Sequence, residues 1–210
     1  MSAKANFMAL TYLHLAGALG VTAVSAEYPL VKANTWAHIG FVALSFVFLF
    51  GLLWTRPGPL KYILFALFSV ALGQMLGPLV QRLQDKGILR QVLIMVVGIF
   101  VGMTALAFYD RGSFLGFGPY LMAGLVGLIV AHVVGIVLGL TGAVTAKTFH
   151  DMSQVFAWFG AVLFTVFIAY DTQQMKARAS SKGSPDYIEA SLNLYLDVIN
   201  LFSDVGRINS

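Results

Sequence analysis

Two aspartates, Asp171 and Asp197, stand in segments whose other residues are apolar enough for a lipid bilayer. Asp171 closes the apolar run 155–170, and Asp197 lies midway along the segment 188–202. A carboxyl group at membrane depth is costly unless it is paired, protonated or in contact with water. We therefore predict that both acids serve the function of the chain.

Acids on consecutive helices that a short linker joins can meet, and neighbouring carboxyl groups then share one proton. The pair Asp171 and Asp197 would therefore titrate as a unit that responds to pH. Carboxylates are also the hard oxygen ligands that calcium accepts, and Asn193 and Asn200 supply amide oxygens nearby. The two aspartates are thus candidate calcium contacts as well as a candidate pH sensor.

The segment around Asp197 has a second feature, a polar stripe along one side of the predicted helix. At about 100° per residue the stripe contains one acid or amide per turn: Glu189, Asn193, Asp197, Asn200 and Asp204. A helix lying in the membrane interface could show the same pattern, but its polar face would normally carry Lys or Arg. The acidic stripe favours a helix enclosed by the others, with these side chains lining an internal path.

Arg56 follows the second apolar segment and lies on the same side as Asp171 when the crossings are counted. It could pair with the acids and latch the path shut, or it could be a loop arginine at headgroup level. The histidines lie in four separate segments without the spacing of metal ligands: His14, His38, His132 and His150.

The composition fixes the class of protein that must position these residues. Of the 210 residues 59% are hydrophobic and 10% are charged, against about 25% charged in ordinary soluble domains. This is predicted to be an all-α integral membrane protein, with lipid around it and no nucleic-acid partner. The absence of cysteine from the sequence excludes disulfides and thiolate catalysis. No cofactor is predicted; calcium and protons are the predicted ligands.

Apolar windows of roughly 17–25 residues can each cross a bilayer. Six clear windows and a more polar seventh are predicted to be transmembrane helices, at 6–26, 36–54, 60–80, 90–109, 117–141, 153–171 and 187–206. The loops between them are short, so residues 1–210 are predicted to form a single seven-helix domain with the last helix enclosed by the other six.

Glycines four residues apart allow membrane helices to approach closely. Three such pairs occur: Gly73 and Gly77, Gly98 and Gly102, and Gly135 and Gly139. We interpret them as packing sites within one bundle, which favours a monomer over a dimer. Pro78 is expected to kink or end the third helix.

The last forty residues resemble a known signature. Residues 169–175, Ala-Tyr-Asp-Thr-Gln-Gln-Met, and the stretch 185–202 around Leu-Tyr-Leu-Asp are similar to the Bax inhibitor-1 family, also called the transmembrane Bax inhibitor motif family. Gly77-Pro78-Leu79 resembles the family too. The resemblance leaves open whether the chain is a bacterial, viral or eukaryotic member.

This resemblance implies a seven-helix fold and a pH-sensitive calcium leak, with a gating aspartate pair at Asp171 and Asp197. It also implies a latching arginine, which Arg56 would match. Some members carry an acid in the second membrane segment, where this chain has Ser45 or a neighbour of it. A permeation site built on that acid is therefore not expected here.

Two other classes of function compete with the leak. An intramembrane aspartyl protease also uses two membrane aspartates, but its Gly-x-Gly-Asp and Pro-Ala-Leu motifs are missing from the sequence, so we predict that the chain is not an enzyme. A non-conducting regulator of cell death or of membrane proteases would act by binding membrane-protein partners. The host membrane is a bacterial inner membrane or a eukaryotic endomembrane, which the sequence does not distinguish. Seven basic loop residues against six slightly favour a cytoplasmic N-terminus, but this bias alone does not settle the orientation.

Overall fold

The computed structural model describes residues 3–28, 30, 35–110, 112–180 and 186–210. Within these ranges the chain forms seven α-helices and one short 3-10 helix, Ser113–Phe117. The α-helices are α1 Ala3–Glu27, α2 Thr35–Trp54, α3 Pro59–Asp85, α4 Leu89–Tyr109, α5 Gly118–Leu140, α6 Ala146–Arg178 and α7 Tyr187–Asn209. The prediction of an all-helical membrane protein is confirmed.

In the described part of the chain, six helices, α1 to α6, are long and apolar enough to cross a membrane. The seventh helix, α7, is more polar than these six, because it carries the charged residues Glu189, Asp197, Asp204 and Arg207. Its side chains are nevertheless withdrawn from the surface: residues 187–206 are all described, and every one is buried or half-buried.

The chain forms two compact units. The first contains residues 1–86 and 175–196, and the second contains residues 87–174 and 197–210. The boundary falls inside α7, so the residues of α7 up to Leu196 pack in the first unit and those from Asp197 onward pack in the second.

In the first unit, α3 packs against α1 and α2. A Cβ atom on Gly73 would lie 2.6 Å from the Thr22 carbonyl oxygen, so this glycine allows the backbones of α1 and α3 to meet. Next to it, the Gln74 amide donates to the Ser25 carbonyl oxygen at 2.5 Å and to the Tyr28 carbonyl oxygen at 3.2 Å. A polar side chain thus satisfies carbonyl groups that the end of α1 leaves without helical partners. The helix α3 continues past Pro78 to Asp85.

In the second unit, glycines of α5 receive large side chains of α6. Gly135 faces the ring of Phe156, and a Cβ atom on Gly139 would lie 3.1 Å from the ring of Phe149. These glycines make room for aromatic rings rather than for a second backbone. The expectation of packing within the chain is wrong for Gly98 and Gly102, because a Cβ atom at either position would have no other described part of the chain within 4 Å.

Candidate site at the buried acids of α6 and α7

Asp171 lies inside α6 rather than at its end. The predicted crossing stops at residue 171, but the helix continues to Arg178, which adds about two turns. These turns contain the polar residues Thr172 and Gln173, which are buried together with Met175. Packing in the folded chain, and not hydrophobicity along the sequence, therefore sets the length of α6.

Asp171 and Asp197 are brought together in the second unit. Asp197 is 4% exposed and Asp171 is half-buried, and the two side chains are hydrogen-bonding partners. Two carboxyl groups can form such a bond only when one of them carries a proton. The other oxygen of Asp197, Oδ2, is buried and has no hydrogen-bond partner among the described residues. The site therefore has one acceptor that water, a proton or a cation could satisfy.

The turn that follows Asp171 is anchored to the loop after α4. Gln173 Nε2 donates to Asp110 Oδ2 at 2.7 Å. The same oxygen accepts bonds from the Ser113 hydroxyl at 2.8 Å, from the Ser113 N–H at 2.8 Å and from the Gly112 N–H at 2.9 Å. The hydrogen bonds from Ser113, followed by that from Gln173, hold the pKa of the Asp110 carboxyl below its usual value.

Sequence reasoning missed this anchor. The local part of it, an aspartate whose side chain accepts from the backbone two and three residues later, is a recognisable turn pattern. The long-range partner Gln173 has no such signal, since it is 63 residues away along the chain.

The first part of α7 is held by polar contacts in the first unit. The Tyr195 hydroxyl lies 2.6 Å from the Thr22 hydroxyl of α1, and the Tyr195 ring packs edge-on against Phe65 and Phe68 of α3. The Ser191 hydroxyl donates to the Thr11 carbonyl oxygen at 2.8 Å. These contacts fix the rotation of the first part of α7, up to Leu196, about the helix axis.

The N-terminus of α7 is capped by Asp186. Its Oδ1 accepts from the N–H groups of Ile188 at 2.9 Å and Glu189 at 3.1 Å, as expected for an aspartate at this position. Its Oδ2 forms an ion pair with the buried Lys61 of α3. The cap and the ion pair together tie the start of α7 to α3.

The remaining predicted site residues are distributed along the chain. Glu189 forms an ion pair with Arg178 at 2.8 Å, so its charge is compensated at the start of α7. Asn193 and Asn200 are half-buried on the stripe, and Arg56 is exposed between α2 and α3 in the first unit. Asp204 is buried against Gly160 of α6 in the second unit.

In the part of the chain that the structure describes, no group of three or more His, Cys, Asp or Glu side chains is placed to hold a metal ion. Asp171 and Asp197 form a pair rather than such a group. Two carboxyl groups supply fewer oxygens than the six to eight that calcium takes in a closed binding site. The arrangement suits brief contact with a passing ion better than permanent coordination.

Comparison with known proteins now gives the family. The sequence profile described as inhibitor of apoptosis-promoting Bax1 matches residues 4–209. The chain belongs to the Bax inhibitor-1 family. The residues that first suggested this family in the sequence include both aspartates of the buried pair, so the family signature and the candidate site coincide in α6 and α7.

Individual relatives come from yeast, animals and bacteria. The chain is 34% identical to Bax inhibitor 1 of Schizosaccharomyces pombe over 179 residues. This aligned region covers 85% of this chain and 63% of the yeast protein. The chain is 31% identical over 156 residues to mouse protein lifeguard 3, covering 71% of this chain and 47% of the relative. A Helicobacter pylori protein is 30% identical over 213 residues, covering 97% and 85%. The chain thus spans about half to two thirds of the yeast and mouse relatives.

Proposed function

We propose that this Bax inhibitor-1 family protein moves calcium passively across its membrane and that the Asp171–Asp197 pair gates the movement in response to pH. The observation that carries the proposal is the contact between two carboxyl groups on different helices, one of them 4% exposed. Placing such a pair in an apolar surrounding costs free energy, so acids at this depth are expected to serve a function.

The proposed gate works through one proton. When the two carboxyl groups share a proton, the hydrogen bond between them holds α6 and α7 together at this level. When the proton leaves, two negative charges face each other, and at about 4 Å they repel by roughly 4 kcal/mol at an effective dielectric constant of 20. Separation of the helices relieves this repulsion and exposes carboxylate oxygens that attract a cation.

We further propose that all seven helices cross the membrane and that α7 is enclosed by the others. The burial of residues 187–206 supports this arrangement, because a helix lying on the membrane surface would expose one face. The half-buried amides Asn193 and Asn200 would then line the path. Glu189, paired with Arg178, would stand at its mouth.

Arg56 is proposed as the group that latches the gate. The proposal follows from the resemblance to the family, and the exposed position of Arg56 leaves its side chain free of packing constraints. A guanidinium that reached the ionised aspartates would replace the shared proton as the compensating charge.

The experiment is calcium flux into liposomes that contain only the purified protein, followed by an enclosed calcium dye from about pH 5 to 8, the range that a perturbed carboxyl pair can sense. We expect flux above that of protein-free liposomes and a dependence on pH. A variant at an exposed acid, Asp85→Asn, is the matched control and should behave as the wild type. A wild-type protein that moves no calcium at any pH would refute the proposal.

A second function is favoured by the family description, which names inhibition of apoptosis-promoting Bax1. In that case the protein regulates cell death by binding membrane partners and conducts nothing. Binding needs an intact surface but not an ionisable pair, so Asp197→Asn would leave partner binding and protection from cell death unchanged. Loss of protection with partner binding intact would favour the leak.

We also propose that the aspartate pair does no proteolysis. The pair could in principle activate a water molecule as aspartyl proteases do, but the sequence lacks the motifs of intramembrane members of that class. Incubation with an active-site aspartate inhibitor should leave calcium flux unchanged and label neither residue. Specific binding of such an inhibitor to Asp171 or Asp197, or its covalent attachment to either residue, would contradict the absence of proteolysis.

A further inference from the structure

A second buried acid of α7 occupies a notch in α6. Asp204 is 6% exposed, and its carboxyl group lies directly against the backbone of Gly160. A Cβ atom at position 160 would stand 2.9 Å from Asp204 Cγ and closer still to Oδ2. Only glycine leaves room for this carboxyl group, so the notch and its occupant are matched.

The surroundings of Asp204 do little to compensate a negative charge. No hydrogen bond or ion pair from the described residues reaches its carboxyl group. The charge that acts on it is that of Arg207, one turn later on α7. Residues 152–169 of α6 contain no ionisable side chain. Asp197, which precedes Asp204 by seven residues on α7, and its partner Asp171 on α6 would repel a second anion if they were charged.

Free volume lies beside Arg207. A cavity of about 250 Å³ is lined by Arg207, by His132 of α5 and by Ser153 and Phe156 of α6. The Gln154 amide donates to the Arg207 carbonyl oxygen at 3.0 Å, which fixes the backbone there while leaving the guanidinium free to turn. Residues three apart on a helix are neighbours, so this guanidinium can reach the Asp204 side chain without a change of backbone.

We propose that Asp204 is a proton-binding switch, separate from the Asp171–Asp197 pair. It carries a proton while it lies in the Gly160 notch, and after losing that proton it leaves the notch and pairs with Arg207. A buried carboxylate without donors costs far more free energy than a neutral carboxyl group or than a carboxylate that is paired with a guanidinium. The switch would act on the contact between α6 and the second part of α7. The switch does not depend on calcium transport.

The test is infrared difference spectroscopy of the purified protein in lipid, titrated from about pH 5 to 8. The stretching band of protonated carboxyl groups is compared between the wild type and Asp204→Asn. We expect a component that is present in acid, is lost as the pH rises and is missing from Asp204→Asn. Identical titrations of the two proteins would show that Asp204 does not change its protonation between these pH values and would overturn the proposal.

Two further variants test the geometry. Gly160→Ala removes the room for the neutral carboxyl group, so the Asp204 component should be lost; Gly98→Ala, whose added methyl group contacts nothing described, should keep it. Arg207→Gln removes the partner of the charged form, so the component should persist to higher pH. If Gly160→Ala keeps the Asp204 component of the wild type, the mechanism is contradicted. If Gly160→Ala does not fold, an Asp204 component that titrates in Arg207→Gln as it does in the wild type would contradict the mechanism instead.

The spectra are recorded without calcium. A protein that shows the Asp204 component but moves no calcium would therefore refute only the proposed leak. A protein that moves calcium with a flat Asp204 titration would refute only the switch.

Discussion

Asp197→Asn replaces the central acid of α7 by an amide of nearly the same size and polarity. The amide N–H can donate to the Asp171 carboxylate without any bound proton. The contact between α6 and α7 is therefore kept while the proton that operates it is removed. We expect the variant to fold as the wild type does and to hold the gate in one state at every pH.

The size of the effect follows from the number of protons involved. An equilibrium that takes up one proton shifts by at most about 1.4 kcal/mol, or about tenfold, for each unit of pH. The wild-type pair, with one proton between its two carboxyl groups, should approach this slope near its midpoint. In Asp197→Asn that proton is no longer required, so the slope of the calcium flux against pH should fall towards zero.

The assay compares initial rates of calcium entry in liposomes at matched protein density, with Asp85→Asn as a control for the loss of one negative charge. Circular dichroism and the thermal midpoint establish that both variants are folded. If Asp197→Asn keeps the wild-type slope, the pair does not sense pH. If Asp85→Asn loses the slope as well, net charge and not the buried pair is responsible.

Three other predictions test separate parts of the structure. Arg56→Ala should raise the resting calcium leak and flatten its pH response if the arginine latches the gate; an unchanged leak in the same liposomes would remove it from the mechanism. Gly73→Ala should lower the free energy of unfolding by about 1–3 kcal/mol through overpacking of α1 on α3, and a gain in helix propensity of about 1 kcal/mol should offset part of this loss. Gly98→Ala should show only the gain in helix propensity. Equal thermal midpoints of unfolding for the two variants would contradict the close contact at Gly73. Asp110→Asn should lower the thermal midpoint at pH 7. Because the pKa of Asp110 is lowered in the folded chain, this deficit should shrink as the pH falls below about 3.9, and a deficit independent of pH would show that the charge is not responsible.

The sequence alone determined the membrane character of the chain and most of its helices. The windows 36–54, 90–109 and 117–141 agree with α2, α4 and α5 to within one residue at each end, because a helix in a bilayer must be apolar over a length set by the bilayer. The stripe on α7 could be predicted for a similar reason. Helical periodicity places residues 189, 193, 197, 200 and 204 on one side whatever surrounds them.

The tertiary structure decided what that periodicity cannot express, which is the partner of each side chain. The extension of α6 past Asp171 depends on the burial of Thr172 and Gln173 by other parts of the chain. The contacts of Asp110 with Gln173 and of Gly160 with Asp204 join residues far apart in sequence, and hydrophobicity does not record such pairs. A one-dimensional pattern fixes the face on which a residue lies. Only packing in three dimensions fixes what it faces.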